Sequence, residues 1–136
     1  MRRINWPALV VFLALSSPSN AREPTTAAAC AALSAPAVQS GCLEKLAMAA
    51  DARLNETYRR AVTMIDRSGS DKIAEWKTEL KTAQQAWIAF RDADCGALVG
   101  YEWSHGTGMG SAMESCLLQK TEQRTRDLRD RYINRR

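Results

Sequence analysis

Apolar residues recur every three or four positions in three separate stretches of the chain, and this is the period of an amphipathic helix. The middle stretch keeps the pattern until its last, polar position: Ile73, Trp76, Leu80, Ala83, Trp87, Phe90 and Asp94. The first stretch has Leu43, Leu46, Ala47, Ala50, Leu54, Ala61 and Ile65. The last has Leu117, Thr121, Arg124, Leu128 and Tyr132. No stretch has a clear strand pattern, so the sequence predicts an all-α fold.

Turn-forming residues separate the stretches and set the expected helix boundaries. The helices are predicted from about residue 39 to a break at 68–71, over about 72–98, and over about 112–134. Gly69 is the expected stop of the first helix, and Ser70 or Asp71 is the expected cap of the second. Residues 100–111 contain four glycines and are predicted to be a loop with little intrinsic order. Residues 22–36 are expected to be a flexible start with a short turn near Cys30.

The short break at 68–71 makes the first two helices antiparallel neighbours. With the third helix, they are predicted to form a small three-helix antiparallel bundle. We expect the middle helix to be its central packing helix, with Tyr58, Trp87 and Phe90 filling the core because aromatic side chains bury large areas.

The first 21 residues have the three parts of a secretory signal peptide. Arg2 and Arg3 are followed by a short apolar run at 7–15 and by the small residues Ser19, Asn20 and Ala21. Cleavage after Ala21 would leave residues 22–136 as one helical domain in the periplasm or outside the cell. The apolar run is shorter than the roughly 20 residues that a membrane helix needs, so we expect no stable membrane insertion after cleavage.

Charge and cysteine content narrow the function classes. Without Arg2 and Arg3 the formal net charge falls from +4 to +2, and acids and bases alternate along the helices, so no nucleic-acid partner is expected. Four cysteines in a small exported domain indicate two disulfides, and all four, Cys30, Cys42, Cys95 and Cys116, fall at one end of the predicted bundle. Local pairing, Cys30 with Cys42 and Cys95 with Cys116, is the preferred expectation, although the sequence leaves three connectivities open.

Three polar and aromatic motifs accompany the cysteines. The first helix carries Asp51, Leu54, Asn55 and Tyr58; the second carries Gln84, Trp87, Phe90, Arg91 and Asp92 before Cys95; the third carries Thr121, Arg124 and Leu128 after Cys116. In this order, over about residues 42–128, the set resembles the N-terminal domain family named after the mycobacterial lysozyme inhibitor LprI. The chain departs from the family pattern where Met109 separates Gly108 from Gly110, because the family often has adjacent glycines there.

The resemblance implies a non-catalytic protein that inhibits a lysozyme-type muramidase through protein contact, without a cofactor. The alternative is a general cell-envelope module that binds another protein or a cell-wall glycan. An enzyme is not expected, because Asp92 and Asp94 point in different directions on a helix and a Cys–His pair would need a free cysteine. A metal site is not expected either, since there is no CxxC pair and His105 is the only histidine.

The motif residues have a structural and a functional interpretation. In the structural one, Asp51 and Asn55 accept hydrogen bonds from Arg91 or Arg124, because buried carboxylates need a partner, and Gln84 bonds across the bundle. In the functional one, they form a ligand site. The structural interpretation is preferred.

The segment between Cys95 and Cys116 is the candidate binding surface. It contains Tyr101, Glu102, Trp103, Ser104 and His105. A disulfide across it would lower the entropic cost of ordering it on binding, and Tyr and Trp are favoured interface anchors. The alternative is that both aromatic rings fold back on the bundle and that the histidine is merely exposed.

Overall fold

A computed structural model describes residues 24–134, and the predicted signal peptide of residues 1–21 lies outside this part. The helices are α1 (Ala27–Ala31), α2 (Pro36–Asp66), α3 (Ile73–Ala93), α4 (Val99–Glu102) and α5 (Met109–Leu128). Wider π-helical turns extend α3 over Asp94–Leu98 and α5 over Arg129–Ile133. The described residues contain no strand, which confirms the all-α prediction. None of their helices is both long and apolar enough to span a bilayer.

Helices α2, α3 and α5 form the predicted three-helix bundle. Lys77 pairs with Asp66 beside the short connection, so α3 runs back along α2. Helix α5 runs in the direction of α2, because Gly110 lies against Ser40 near the start of both helices and Glu122 reaches Arg53 further along. The α2–α3 break also has the predicted stop, since Gly69 adopts a φ of +69°.

The core lies mainly between α2 and α5, and α3 covers their seam. Helix α2 buries seven residues, namely Leu43, Ala47, Ala50, Leu54, Thr57, Ala61 and Ile65. Helix α3 buries only Leu80 and Gln84. The expectation that the middle helix is the central packing helix is therefore wrong, because α3 contacts its neighbours along one narrow face.

The exposed part of α3 includes residues that the apolar pattern assigned to the core. Phe90 is 55% exposed, and Ala83 is exposed as well. Trp87 and Tyr58 are half-buried and pack against the cluster around Leu54. The helical period identifies a common face, but it does not tell how much of that face another helix covers.

Helix boundaries shift from the predicted ones for local reasons. Helix α2 begins three residues early at Pro36, because proline suits the first helical turn, where its missing N–H costs no hydrogen bond. Lys72 precedes α3 and neither Ser70 nor Asp71 caps it, although the Ser70 hydroxyl accepts a hydrogen bond from the Lys72 N–H at 3.1 Å. The segment 22–36, for which a flexible start is predicted, contains α1, whose N-cap is Thr26.

Half of the predicted loop at 100–111 is helical. Gly100 lies within α4, and Gly110 and Ser111 lie within α5, so only residues 103–108 form the turn. The third helix therefore begins at Met109 rather than near 112. Four glycines in twelve residues suggested turning, but a helix accepts glycine where close packing offsets its entropic cost.

Both disulfides form with the preferred local pairing. Cys30 bonds to Cys42 with a Cα–Cα distance of 5.6 Å, and Cys95 bonds to Cys116 at 5.4 Å. The first bond attaches α1 to α2, and the second attaches the π-helical turn after α3 to α5. All four cysteines of the chain are therefore bonded.

Candidate functional site

Arg91 joins the three long helices through one guanidinium group. It donates to a carboxylate oxygen of Asp51 on α2 at 2.6 Å and to the hydroxyl of Thr121 on α5 at 3.1 Å. It also donates to its neighbour Asp92 at 2.9 Å. Only 12% of the Arg91 side chain is exposed. Burial lowers the pKa of Arg91, but hydrogen bonds and charge attraction from Asp92 and Asp51 outweigh burial, so the pKa lies above its ordinary value.

The ring of Trp87 contacts two cations beside this cluster. The guanidinium carbon of Arg91 is 5.2 Å from the ring centroid and that of Arg124 is 5.8 Å, within the range of cation–π attraction. Arg124 donates to the side-chain oxygen of Gln84 at 3.0 Å. Burial lowers the pKa of Arg124. These contacts connect α3 to α5 through polar groups.

The contacts place most motif residues in the packing between helices. Asp51 accepts from Arg91 and Gln84 accepts from Arg124, as the structural interpretation described, whereas Asn55 is exposed. Leu54 and Leu128 are buried in one core cluster. Phe90 lies on the surface, where the Lys120 ammonium is 4.9 Å from its ring centroid.

The candidate binding segment is a compact, exposed turn after α4. Tyr101 is 76% exposed, Trp103 is 50% exposed, and Glu102, Ser104 and His105 are exposed as well. Ser104 and His105 have positive φ values of 48° and 55°. Left-handed backbone is uncommon outside glycine and tends to persist where the surroundings impose it, often at ligand sites.

Two close contacts hold this turn in shape. The ring of Trp103 lies so near Gly108 that a β-carbon there would overlap it. The imidazole of His105 packs on Gly100, where a β-carbon would lie 3.3 Å from the ring. The two glycines admit aromatic rings and do not supply flexibility, contrary to the expected loop with little order. Trp103 folds back on the turn yet keeps half its surface exposed, whereas the Tyr101 ring is mostly exposed.

Backbone hydrogen bonds and a disulfide attach the turn to the bundle. The His105 N–H donates to the Gly100 carbonyl at 3.0 Å, and the Gly106 N–H donates to the Trp103 carbonyl at 2.8 Å. Cys95 lies fully buried one π-helical turn before α4 and is bonded to Cys116. The turn is therefore ordered from both sides.

A second polar cluster lies beside the turn, and the sequence pattern does not predict it as a site. Lys120 on α5 forms an ion pair with Asp94 at 2.8 Å, and both side chains remain about 30% exposed. The one sequence sign was that the apolar stripe of α3 ends on Asp94. Asp94, Cys95 and Cys116 are also the one group of potential metal-ligand residues in the described residues, but a disulfide leaves no thiolate to bind a metal.

Glu114 on α5 gives a stability prediction that depends on pH. Burial raises its pKa above the ordinary 4.5, and repulsion from Glu44 on α2 raises it further. The folded state therefore holds the Glu114 proton more tightly than the unfolded state. The resulting contribution to the free energy of unfolding is fully present below the ordinary pKa and is lost as pH rises through the folded pKa. We expect Glu114→Gln to raise the urea midpoint at pH 7 and to have a smaller effect at pH 4.

The control for this prediction is Glu79→Gln, a glutamate on the exposed side of α3. It should leave the difference in urea midpoint between pH 7 and pH 4 the same as in the wild type. An equal urea midpoint for wild type and Glu114→Gln at pH 7 would contradict the prediction.

Comparison with known proteins agrees with the motif pattern. The family model described as "Lysozyme inhibitor LprI" matches residues 21–128. An uncharacterized protein of Rhizobium meliloti (strain 1021) is 33% identical over 130 residues, covering 91% of each chain. The uncharacterized protein YecT of Escherichia coli (strain K12) is 31% identical over 98 residues, covering 67% of this chain and 60% of YecT. No solved structure gave a significant match. The match over most of its length shows that this chain belongs to the LprI lysozyme inhibitor family.

Proposed function

We propose that this protein is an exported, non-catalytic inhibitor of a lysozyme-type muramidase and that residues 101–105 are its main contact surface. The observation that carries this assignment is a turn with two exposed aromatic side chains, Tyr101 and Trp103, whose backbone is already ordered. The family to which the chain belongs is described as lysozyme inhibitors, which supports the proposal.

An inhibitor that acts by contact benefits from a preordered surface, because less conformational entropy is lost on binding. Here the Cys95–Cys116 bond and the packing of Trp103 on Gly108 supply that order. Tyrosine and tryptophan are also the residues that most often dominate binding energy at interfaces. The turn therefore combines suitable side chains with a low ordering cost.

The chemistry of the turn suits the cleft of the proposed target. Glycosidases of the lysozyme type have two carboxyl groups at the reacting bond. His105 lies exposed beside Tyr101, with ring centroids 5.6 Å apart, and both side chains have hydrogen-bond donors that match carboxylate acceptors. Blocking such a cleft needs no chemical step by the inhibitor.

A protein with this role has to be exported to reach its target. The predicted signal peptide of residues 1–21 would deliver residues 22–136 to the periplasm or the medium. The two disulfides are typical of proteins from oxidising compartments. Both properties support a location in which the protein would meet lysozymes.

Purified residues 22–136 should slow the lysis of bacterial cell walls by at least one class of lysozyme at micromolar excess. Trp103→Ala should weaken the inhibition constant about tenfold or more, the range of an interface anchor. His105→Asn should weaken it several-fold, because asparagine tolerates the left-handed backbone but removes the ring. Both effects are measured by lysis assays and by calorimetric titration.

Met48→Ala is the matched control, since Met48 is a large exposed apolar side chain on α2 that is distant in sequence from the turn. It should leave inhibition unchanged, and circular dichroism should give equal helicity for all variants. Absence of inhibition across several lysozyme classes would refute the proposed function. Inhibition that survives both turn variants would refute the assigned surface.

A further inference from the structure

We propose that the groove between the Asp94–Leu98 turn and α5 binds a cell-wall saccharide, specifically a strand of N-acetylated amino sugars that includes an acidic sugar. The groove has a volume of about 500 Å³ and is open to solvent. Its lining includes Leu98 and Trp103 on one side and Ser115, Gln119 and Lys120 on α5. The groove shares Glu102 and Trp103 with the proposed inhibitory surface, but its ligand is a sugar and its other lining residues lie outside residues 101–105.

The walls of the groove combine apolar surface with polar side chains. Trp103 and Leu98 are each about half exposed, so both present apolar surface to a ligand. The Gln119 amide donates to the Ser115 hydroxyl at 3.1 Å, which leaves the amide oxygen and the second amide hydrogen for a ligand. Asp94 and Glu102 add carboxylate acceptors. A pocket with an aromatic surface and a few polar groups is the usual form of a small-ligand site.

A saccharide matches this lining better than a peptide strand does. The groove lies between helices, whose backbone groups are already paired, so recognition relies on side chains. A pyranose ring has an apolar C–H face that packs on an indole, and its hydroxyl and acetamido groups pair with amide and carboxylate side chains. The methyl group of an acetamido substituent also fits against Leu98.

Lys120 is the one cation of the groove lining, beside the carboxylates of Asp94 and Glu102, and it is the group that would contact the carboxylate of an acidic sugar. Its ammonium group has three donors, one of which is directed at Asp94 at 2.8 Å, while the side chain remains 31% exposed. A sugar carboxylate can accept from the remaining donors in a charge-assisted hydrogen bond. The neighbouring ring of Phe90 holds the ammonium in place. Muramic-acid units have such a carboxylate where no stem peptide is attached to the lactyl group, whereas chitin-type strands are neutral.

The experiment compares these two sugars on the mature protein. A neutral β-1,4 N-acetylglucosamine tetramer and a muramic-acid-containing disaccharide of peptidoglycan are titrated while amide NMR shifts and tryptophan fluorescence are recorded. We expect both to bind and to shift the signals of Ser115, Gln119 and Lys120. Lys120→Gln should weaken binding of the acidic sugar about tenfold and of the neutral one less than about twofold.

Arg126→Gln is the matched control, since it removes one positive charge from the same helix at an exposed position outside the groove lining. It should leave both affinities unchanged. Gln119→Ala should weaken both sugars, which keeps the test decisive if Lys120→Gln disturbs folding by breaking the Asp94 pair. Lysozyme inhibition should survive Lys120→Gln, because the proposed inhibitory contact lies at residues 101–105.

Three outcomes would overturn the saccharide site. The first is that neither sugar binds up to about 10 mM. The second is that the Lys120 and Arg126 variants weaken binding of the acidic sugar equally while Gln119→Ala has no effect. The third is that the amide NMR shifts are confined to residues outside the groove. None of these outcomes bears on whether the protein inhibits a lysozyme. Conversely, failure of the lysis assay leaves the sugar titration interpretable.

Discussion

Replacing Arg91 with methionine is expected to lower the free energy of unfolding by about 2–3 kcal/mol. The side chain is mostly buried and makes hydrogen bonds to Asp51 and Thr121 on two other helices. Asp51 is half-exposed and regains water when the partner is lost, but Thr121 is 1% exposed and its hydroxyl loses the Arg91 donor. Urea denaturation followed by circular dichroism measures the loss.

The Thr121 hydroxyl, which loses its donor in Arg91→Met, allows a more specific test. Removing both partners of a buried hydrogen bond costs far less than removing one, so Thr121→Val should restore part of the stability in the Arg91→Met background. The same substitution should destabilise the wild type. Arg59→Met is the control, because Arg59 pairs with Glu56 on the exposed surface and should cost less than about 1 kcal/mol. An Arg91→Met loss as small as that of the control would show that the cluster does not stabilise the fold.

Removing the Cys95–Cys116 disulfide by a double substitution to serine is expected to cost about 3 kcal/mol of stability and most of the inhibition. The bond closes a segment with a sequence separation of 21 residues, and the entropy of such a closed loop accounts for a contribution of this size. It also attaches the turn at 101–105 to α5, so its loss raises the entropic cost of binding. Stability is followed by denaturation and inhibition by lysis assays.

The Cys30–Cys42 disulfide is the internal control for this effect. It closes a segment with a separation of 12 residues and attaches α1 to α2, so its removal should cost a similar amount of stability. Inhibition measured well below the melting temperature should then stay near the wild-type value. Equal loss of inhibition from both pairs would mean that global stability, not the order of the turn, controls activity.

Local features of the fold could be predicted because they depend on neighbouring residues. The three-to-four-residue period gave all three long helices, and Gly69 marked the break between α2 and α3. The preferred disulfide pairing was also confirmed, since cysteines 12 and 21 residues apart occupy one end of an antiparallel bundle. The motif order was enough to indicate the family.

The candidate site was only partly predictable, because its shape depends on contacts that sequence spacing does not reveal. The segment around Tyr101 and Trp103 was identified by its aromatic residues, but it was expected to be a loose loop. Gly100 and Gly108 instead accommodate the rings of His105 and Trp103. A glycine that permits turning and a glycine that admits a side chain look alike in a sequence.

The helices, their order along the chain and the candidate residues of the turn follow from the sequence, because helical periodicity and turn chemistry act over a few residues. The packing of the helices is needed to show that α2 and α5 form the core, that Phe90 lies on the surface and that Lys120 pairs with Asp94. The contacts that decide these points are long-range, such as the one between Arg91 and Asp51, which are 40 positions apart. Burial depends on which helix faces meet in space, and that choice is made by the whole bundle.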